Sequence, residues 1–258
     1  MVAGSDRDDS WGWRVERACA AAWPAGRRVT VGQWCVQHSG GGTRRINSAS
    51  ALAPVSLDPD TLGAIERCYT GAGLPAIVRL TSLAPDSSAL LDAAGYLPAE
   101  GSSATLLHDL TGDAGDDAGV RIDAIPSDAW RAARRALSRS AGQGAEDHVA
   151  PIARLAIPAG FASLAIEGRI VSLAFGACHD GIAVIEAVAT DPAARRRGFA
   201  GRVVGALLGW ARSQRAEAMA LQVAHDNRAA RALYRGLGFD RHLYDYHYRR
   251  RAICPNFA

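Results

Sequence analysis

Apolar and polar positions along the chain repeat with a period of two over some stretches and near 3.6 over others, and the two patterns take turns. The order is clearest after residue 120. Val120 to Ala124 predicts a short strand. Ser127 predicts the cap of a helix reaching about Ser138, with Trp130, Ala133 and Leu137 on one face. Phe161 to Ile166 and Arg169 to Ala177 predict strands joined by a tight turn at Glu167 and Gly168. Ile182 to Thr190 predicts another strand. Phe199 to Ser213 predicts a helix with Val203, Leu207 and Trp210 on one stripe. A strand at Ala218 to Val223 and a helix at Arg228 to Gly236 follow, the helix ending on its glycine. Leu243 to Arg249 alternates as a closing strand, with Tyr244, Tyr246 and Tyr248 on one face. Those tyrosines would either line a cleft or pack against the first half. The plan is α/β, a mixed sheet whose antiparallel strands precede a strand–helix–strand unit.

Residues 1–110 carry a shorter version of this plan. A helix is predicted from about Trp13 to Trp23, with two strands flanking the turn Gly40 to Gly42. A helix follows Asp58 and Pro59, then a strand Ala76 to Leu80, a helix Ser87 to Ala94 and a strand Ser102 to His108. Trp11, Trp13, Trp23 and Trp34 fit a core better than a ligand platform. Between the halves, Thr111 to Gly119 is acidic, Gly-rich and free of large apolar residues, the composition of a linker. The domains so read are residues 1–110, a linker 111–119 and residues 120–258. A faint repeat links them: Gly95 and Tyr96 match Gly238 and Phe239 at an offset of 143 residues, and Leu90 matches Leu233.

Composition narrows the function without naming it. In 258 residues, 48% apolar and 21% charged, there is ample material for a buried core. The net charge of +3 is too small to argue for nucleic acid or membrane. Every basic side chain other than histidine is arginine, as codon usage in a GC-rich bacterial genome would give. No apolar run reaches the length of a membrane span, and the polar, acidic stretch Met1 to Ser10 is unlike a secretory signal. Cys19, Cys35, Cys68, Cys178 and Cys254 are scattered, with no CxxC pair. Neither a metal site nor a disulfide frame is indicated, and a reducing, cytoplasmic setting is expected.

The chemistry concentrates in residues 188–201. A strand ends at Thr190, a loop rich in arginine and small residues follows, and a helix begins near Phe199. Amides at a helix start lack intrahelical acceptors and sit at the positive end of the helix dipole, so this segment favours anions. Gly198, Ala200 and Gly201 admit a phosphate close to the backbone, and Arg195, Arg196, Arg197 and Arg202 add charge. A basic turn alone would be a weak signal.

The loop resembles the acyl-CoA signature of the GNAT superfamily, Q/R-x-x-G-x-G/A, in Arg195, Gly198 and Ala200, after the common Asp191 and Pro192. A second signature, N-x-x-A-x-x-L/F-Y-x-x-x-G-F, matches Asn227, Ala230, Leu233, Tyr234, Gly238 and Phe239. The resemblance covers residues 120–250 and implies acetyl-CoA as co-substrate, no metal, and a small-molecule or peptide amine as acceptor. It implies a monomer or homodimer that engages neither nucleic acid nor membrane. It assigns the coenzyme A pyrophosphate to the amides from Arg196 to Gly201, and the pantetheine arm to Asn227 and to the strand end at Val188, Ala189 and Thr190. Phe199 and Ala230 belong to the same contact set. Tyr234 is implied as the general acid for the leaving thiolate, and the N–H of Val188 as an oxyanion donor. A splayed pair of parallel strands would hold the cofactor arm.

Glu186 is the best candidate to accept the proton of the attacking amine, a carboxylate in an otherwise apolar strand; a surface-facing side chain is the alternative. His225 is a second candidate. The first half lacks the loop: at the repeat offset Leu91 stands for Tyr234 and Ala84 for Asn227, and Leu57 to Thr61 holds neither glycine nor arginine. It looks like a degenerate GNAT-like copy, as in tandem enzymes such as mycothiol synthase, with a scaffolding or acceptor-binding role. There Arg44, Arg45, Asn47 and Ser48 either meet a polar acceptor or decorate a plain hairpin. Acetyl transfer to an amine is the leading function, a non-catalytic acyl-CoA sensor the alternative.

Overall fold

The computed structural model describes residues 5–39, 43–112, 117–140 and 149–252. They form two compact units that do not coincide with the sequential halves. The first contains Ala25–Ala104 together with residues up to Trp13 and from Tyr244 onward; the second contains Arg14–Pro24 and Thr105–Leu243.

In chain order the elements are α1 (Ser5–Ala22), β1 (Arg27–Val31), β2 (Trp34–His38), β3 (Ala49–Ala51), α2 (Pro59–Thr70), β4 (Ile77–Thr81), α3 (Ser88–Ala93) and β5 (Glu100–His108). Next come β6 (Val120–Asp123), α4 (Asp128–Ser140), α5 (Val149–Ala153), β7 (Ala159–Ile166), β8 (Arg169–His179) and β9 (Ile182–Thr190). The chain closes with α6 (Phe199–Ser213), β10 (Ala218–Ala224), α7 (Arg228–Gly236) and β11 (Arg241–Arg250).

In the first unit the strand order is β1-β2-β3-β4-β11. β3 and β4 run parallel, joined through α2, and β11 pairs antiparallel with β4 from Ile77↔Arg250 to Thr81↔Tyr246. One face buries Val36, Ala49, Val78 and Leu80 beneath Leu62 and Ile65 of α2 and Leu91 of α3. Each fully buried aliphatic side chain of this kind is worth about 1.5–3 kcal/mol. Trp34 belongs to this core and Trp13 packs on it, as expected. The tyrosines of β11 are also internal to this unit: the rings of Tyr246 and Tyr248 meet edge-on at 5.7 Å, with the Arg79 guanidinium 3.9 Å from the first centroid and Arg44 5.1 Å from the second.

In the second unit the order is β6-β7-β8-β9-β10-β5. Pairings are antiparallel from β6 to β9, and β9 and β10 are parallel, as a strand–helix–strand crossover requires. The two faces of its sheet are built differently. The paired Gly160 and Gly176 leave room for Trp210 of α6; a Cβ on either would come within 2.8 or 2.7 Å of the indole. The next pair, Phe161 and Phe175, points to the other face, where Trp130 of α4 meets both rings and its indole N–H donates to the Ala162 carbonyl at 3.0 Å. Trp23 also covers Phe175 there, at 5.7 Å.

The exchange of closing strands explains why the units ignore the sequence midpoint. β11, made last, completes the first unit, while β5, of which Thr105–His108 belongs to the second unit, lies next to β10. The acidic stretch read as a linker, as far as it is described, falls inside the second unit and not at its border. Other differences are local. α1 begins at Ser5, eight residues before the apolar pattern starts. The hairpin that opens the first unit turns at Gly32 and Gln33, with β1 paired to β2. The three glycines of the expected turn lie outside the described residues, and Arg44 to Ile46 after them form a single 3-10 turn, not a strand. α5 was not foreseen.

The faint repeat is repeated in geometry. The Tyr96 N–H donates to Leu91 O at 2.9 Å and the Phe239 N–H to Tyr234 O at 3.0 Å. The preceding glycines, Gly95 and Gly238, both have positive φ, 77° and 89°. Among the described residues no helix is long and apolar enough to cross a membrane.

Candidate active site

β9 and β10 separate where the chemistry is expected. Their last paired residues are Ile185 and Leu221, yet β9 continues to Thr190 and β10 to Ala224. At the same point β9 bulges against β8: Phe175 pairs with Glu186 and Leu173 with Ala189, so Ala187 and Val188 face a single residue, Ala174. Ala187 takes φ +58°, a left-handed conformation costly for a residue with a Cβ. The bulge takes Val188, the expected oxyanion donor, out of the paired positions of β8 and β9. No glycine or proline marks this bend, so nothing in the sequence announced it.

After Thr190 the chain makes a 3-10 turn, Pro192–Ala194, pinned by Asp191. The Asp191 carboxylate accepts from the Ala193 N–H at 2.9 Å and pairs with Arg169 at 2.8 Å. The loop then takes positive φ twice, +59° at Arg196 and +78° at Gly198. Gly198 is the N-cap of α6, and a Cβ there would meet nothing within 4 Å. The glycine is therefore required by its backbone angle and not by a protein neighbour, and the space above it is open. Phe199 is buried and anchors the helix start, with the Arg197 guanidinium 4.8 Å from its ring centroid. Arg195, Arg196 and Arg197 are exposed, while Ala200 and Gly201 are half-buried; Gly201 lets Leu233 of α7 approach. These features fit an anionic ligand on the first-turn amides of a 15-residue helix whose cap brings no side chain of its own.

The start of α2 shows the opposite arrangement. Its N-cap Asp58 accepts from the Thr61 N–H at 2.9 Å and from its hydroxyl at 2.6 Å, so a carboxylate already sits there. Those hydrogen bonds hold the Asp58 carboxyl below its ordinary range.

Two expected contributors are otherwise engaged. Arg202 pairs with Asp117 through two hydrogen bonds, 2.6 and 2.7 Å, which lower the Asp117 carboxyl to about 2; it therefore ties α6 to the segment that precedes β6. The side-chain oxygen of Asn227 caps α7 by accepting from the Ala230 N–H at 3.1 Å, which leaves its amide NH2 and the second lone pair of that oxygen for a pantetheine arm. In the first unit Asn47 likewise closes a turn, accepting from the Ser39 N–H and donating to Thr43 O. His225 is exposed, with its carbonyl accepting from Arg231.

Glu186 and Tyr234 are both buried, 5% and 7% exposed, which excludes the surface reading of the glutamate. Burial, and secondarily the Glu186 charge, push the Tyr234 phenol up to about 12. At neutral pH it keeps its proton and can donate it. The Tyr234 ring packs edge-on to Phe239 at 6.1 Å, so the motif's aromatic end fixes its catalytic candidate. Sequence reasoning missed Arg134 of α4, 6% exposed, whose Nη1 donates to Ser138 Oγ at 2.8 Å. Its position one turn beyond Trp130 on the buried stripe was the available signal.

Comparisons with known proteins agree with this geometry. Residues 13–251 match the family described as "Probable histone acetyltransferase Rv0428c C-terminal". The uncharacterized N-acetyltransferase YobR of Bacillus subtilis (strain 168) is 25% identical over 241 residues, 92% of this chain and 97% of that one. Among solved structures, a GCN5-related N-acetyltransferase from Kribbella flavida superposes with a TM-score of 0.70 at 18% identity, covering 94% of this chain and 96% of its own. A tandem GNAT protein from the clavulanic acid biosynthesis pathway, solved without AcCoA, has a TM-score of 0.60 at 13% identity over 100% of this chain and 98% of its own. At such identities the structural likeness speaks for the fold. The family match spans nearly the whole chain, and with it this protein belongs to the Rv0428c C-terminal acetyltransferase family of GNAT N-acetyltransferases.

Proposed function

We propose that the protein transfers an acetyl group from acetyl-CoA to a primary amine, by direct attack in a ternary complex. The observation that carries this reading is the α6 start: a glycine cap at φ +78° with open space above it, after three exposed arginines and a pair of parallel strands that pair with each other no further than Ile185 and Leu221. In this reading the amides from Arg196 to Gly201 hold the pyrophosphate, and the strand end Val188 to Thr190 with Asn227 aligns the arm. The bound thioester supplies the activated acetyl carbonyl. The Val188 N–H then donates to the carbonyl oxygen as negative charge grows on it. Glu186 accepts the proton of the amine, directly or through water, and Tyr234 donates its proton to the departing sulfur. The acceptor is a small-molecule or peptide amine, and the setting a reducing cytoplasm.

The test is thermal unfolding with and without acetyl-CoA, for wild type and Gly198→Glu. A ligand-dependent rise of roughly 5–10 °C at a hundredfold excess over Kd is expected in wild type, from about 2.7 kcal/mol of linkage. The variant puts a carboxylate and a Cβ at a left-handed position, and should lose the rise. No rise in wild type at millimolar acetyl-CoA would remove the reading. A rise without acetylation of any amine in a broad panel would favour an acyl-CoA sensor.

A further inference from the structure

His108 ends β5 and lies in the second unit with Leu110, Arg212, Tyr234 and Phe239. The proposed reaction does not use it. Its Nδ1 accepts from the Leu110 N–H at 2.8 Å, so that nitrogen carries no proton and the neutral ring has its hydrogen on Nε2. Leu110 takes φ +52°, a left-handed conformation costly for a leucine. It is held there from two sides, its N–H by His108 and its carbonyl by Nε of Arg212 in α6, at 3.1 Å. The imidazole also faces the end of α7. It meets the Phe239 ring edge-on at 5.3 Å, and Phe239 meets Tyr234 edge-on at 6.1 Å. Phe239 is buried and its N–H donates to Tyr234 O at 3.0 Å, so its ring and its backbone both bear on the tyrosine. A Cβ on Gly238 would come within 3.0 Å of Cδ2 and Nε2 of His108. At the matching glycine of the first unit, Gly95, a Cβ would meet nothing within 4 Å, and there Leu91 stands for Tyr234. The imidazole over the glycine thus belongs to the copy that keeps the tyrosine.

We propose that His108 is a positioning residue for Tyr234: with Nδ1 holding Leu110, its ring backs Phe239, and Phe239 keeps the phenol in place. His108 touches no reacting atom; it acts through Phe239. The inference rests on the reading of Tyr234 as proton donor, while the coupling of His108 to Tyr234 is measurable without it.

Acid removes the contact without a mutation. An imidazolium has hydrogens on both nitrogens, so its Nδ1 no longer accepts and the Leu110 N–H loses its partner. The charged groups facing His108 are Arg212 from α6, Asp109 beside it in the chain, and Asp240 from the turn after α7; Asp109 is engaged by Arg241 of β11 at 3.5 Å. Burial, and after it Arg212, hold the imidazole below its ordinary value of 6.5, against a smaller opposing pull from the two aspartates. His108 is therefore neutral at pH 7, and its hold on Leu110 is lost only as the pH falls below 6.5.

The experiment has two arms, both on the full chain. The first needs no substrate. It is an NMR pH titration with histidine and tyrosine rings isotopically labelled, the two signals of interest identified by His108→Asn and Tyr234→Phe. His108 should show the Nε2–H tautomer and a midpoint below 6.5. The Tyr234 ring signals should shift with that same midpoint, and the shift should vanish in His108→Asn. Tyr234 signals that ignore the His108 titration overturn the coupling. The second arm is kcat against pH at saturating acetyl-CoA, for the best amine found. His108→Leu should lower kcat by roughly ten- to a hundredfold above pH 7, with KM for acetyl-CoA nearly unchanged. His108→Asn should return most of the loss, because its side-chain oxygen accepts from the N–H two residues on, as in an Asx turn. It should also lose the acidic limb that titrates with His108 in wild type. If His108→Leu does not fold, His108→Asn carries this arm by itself. An asparagine variant that keeps the wild-type limb, or that is as slow as His108→Leu, overturns the positioning role while leaving acetyl transfer intact. If wild type acetylates no amine, the reading of Tyr234 fails, and the first arm still decides whether the two rings are coupled.

Discussion

Tyr234 joins a packing contact and the proposed general acid in one side chain. Its ring is a packed wall against Phe239, and its hydroxyl belongs to a phenol that burial keeps protonated to about pH 12. Replacing it with phenylalanine keeps the wall and removes only the proton. Steady-state kinetics of Tyr234→Phe should show kcat reduced roughly a hundredfold or more, with KM for acetyl-CoA nearly unchanged. An unaltered kcat would assign the thiolate proton to water or another group. At this scale the motif residues were legible because they carry unusual types in fixed spacing. Ala187 was not, since a left-handed alanine looks like any other alanine in a strand. Arg134 was missed for the opposite reason: an arginine on a helix reads as solvated until the burial of its neighbours is known.

Elements were legible wherever local chemistry sets their ends. β9, α6 and α7 begin and end where the sequence placed them, because Gly198 and Asn227 are the caps and Gly236 ends the last helix. α1 extends beyond its apolar pattern into a polar run with no periodicity to read, and the five residues of α5 are too few to show any. The tight Gly160 and Gly176 pair belongs to this scale too, since it sets how closely α6 lies on β7 and β8. Gly176→Val should destabilise by roughly 1–3 kcal/mol in urea unfolding, because the indole of Trp210 stands where the side chain must go. Adding Trp210→Leu should restore part of the loss; no restoration would mean the strain is in the strand backbone.

For the whole molecule, the α/β class followed from the alternating patterns and the superfamily from two motifs, but the division into units followed from neither. Strand exchange has no local signature: β11 alternates the same way whichever neighbour it pairs with. Its consequence is testable. Fragments cut within the acidic stretch, residues 1–112 and 117–258, should each fail to give a cooperative unfolding transition when expressed alone. One would lack β11 beside β4, the other β5 beside β10. Mixed together, they should recover the native circular dichroism. Independent folding of either fragment would show that the exchanged strands are dispensable.

That exchange also sets a schedule. Thr81 in β4 leaves the ribosome about 165 residues ahead of its partner Tyr246. At roughly 5–20 residues per second, the open strand edge waits on the order of ten to thirty seconds for its neighbour. An unpaired edge is a template for other chains, so the unit synthesised first is the one exposed longest. Nascent chains of this protein should therefore depend on chaperones chiefly before residue 244 emerges, and stalled or truncated products should aggregate through β4.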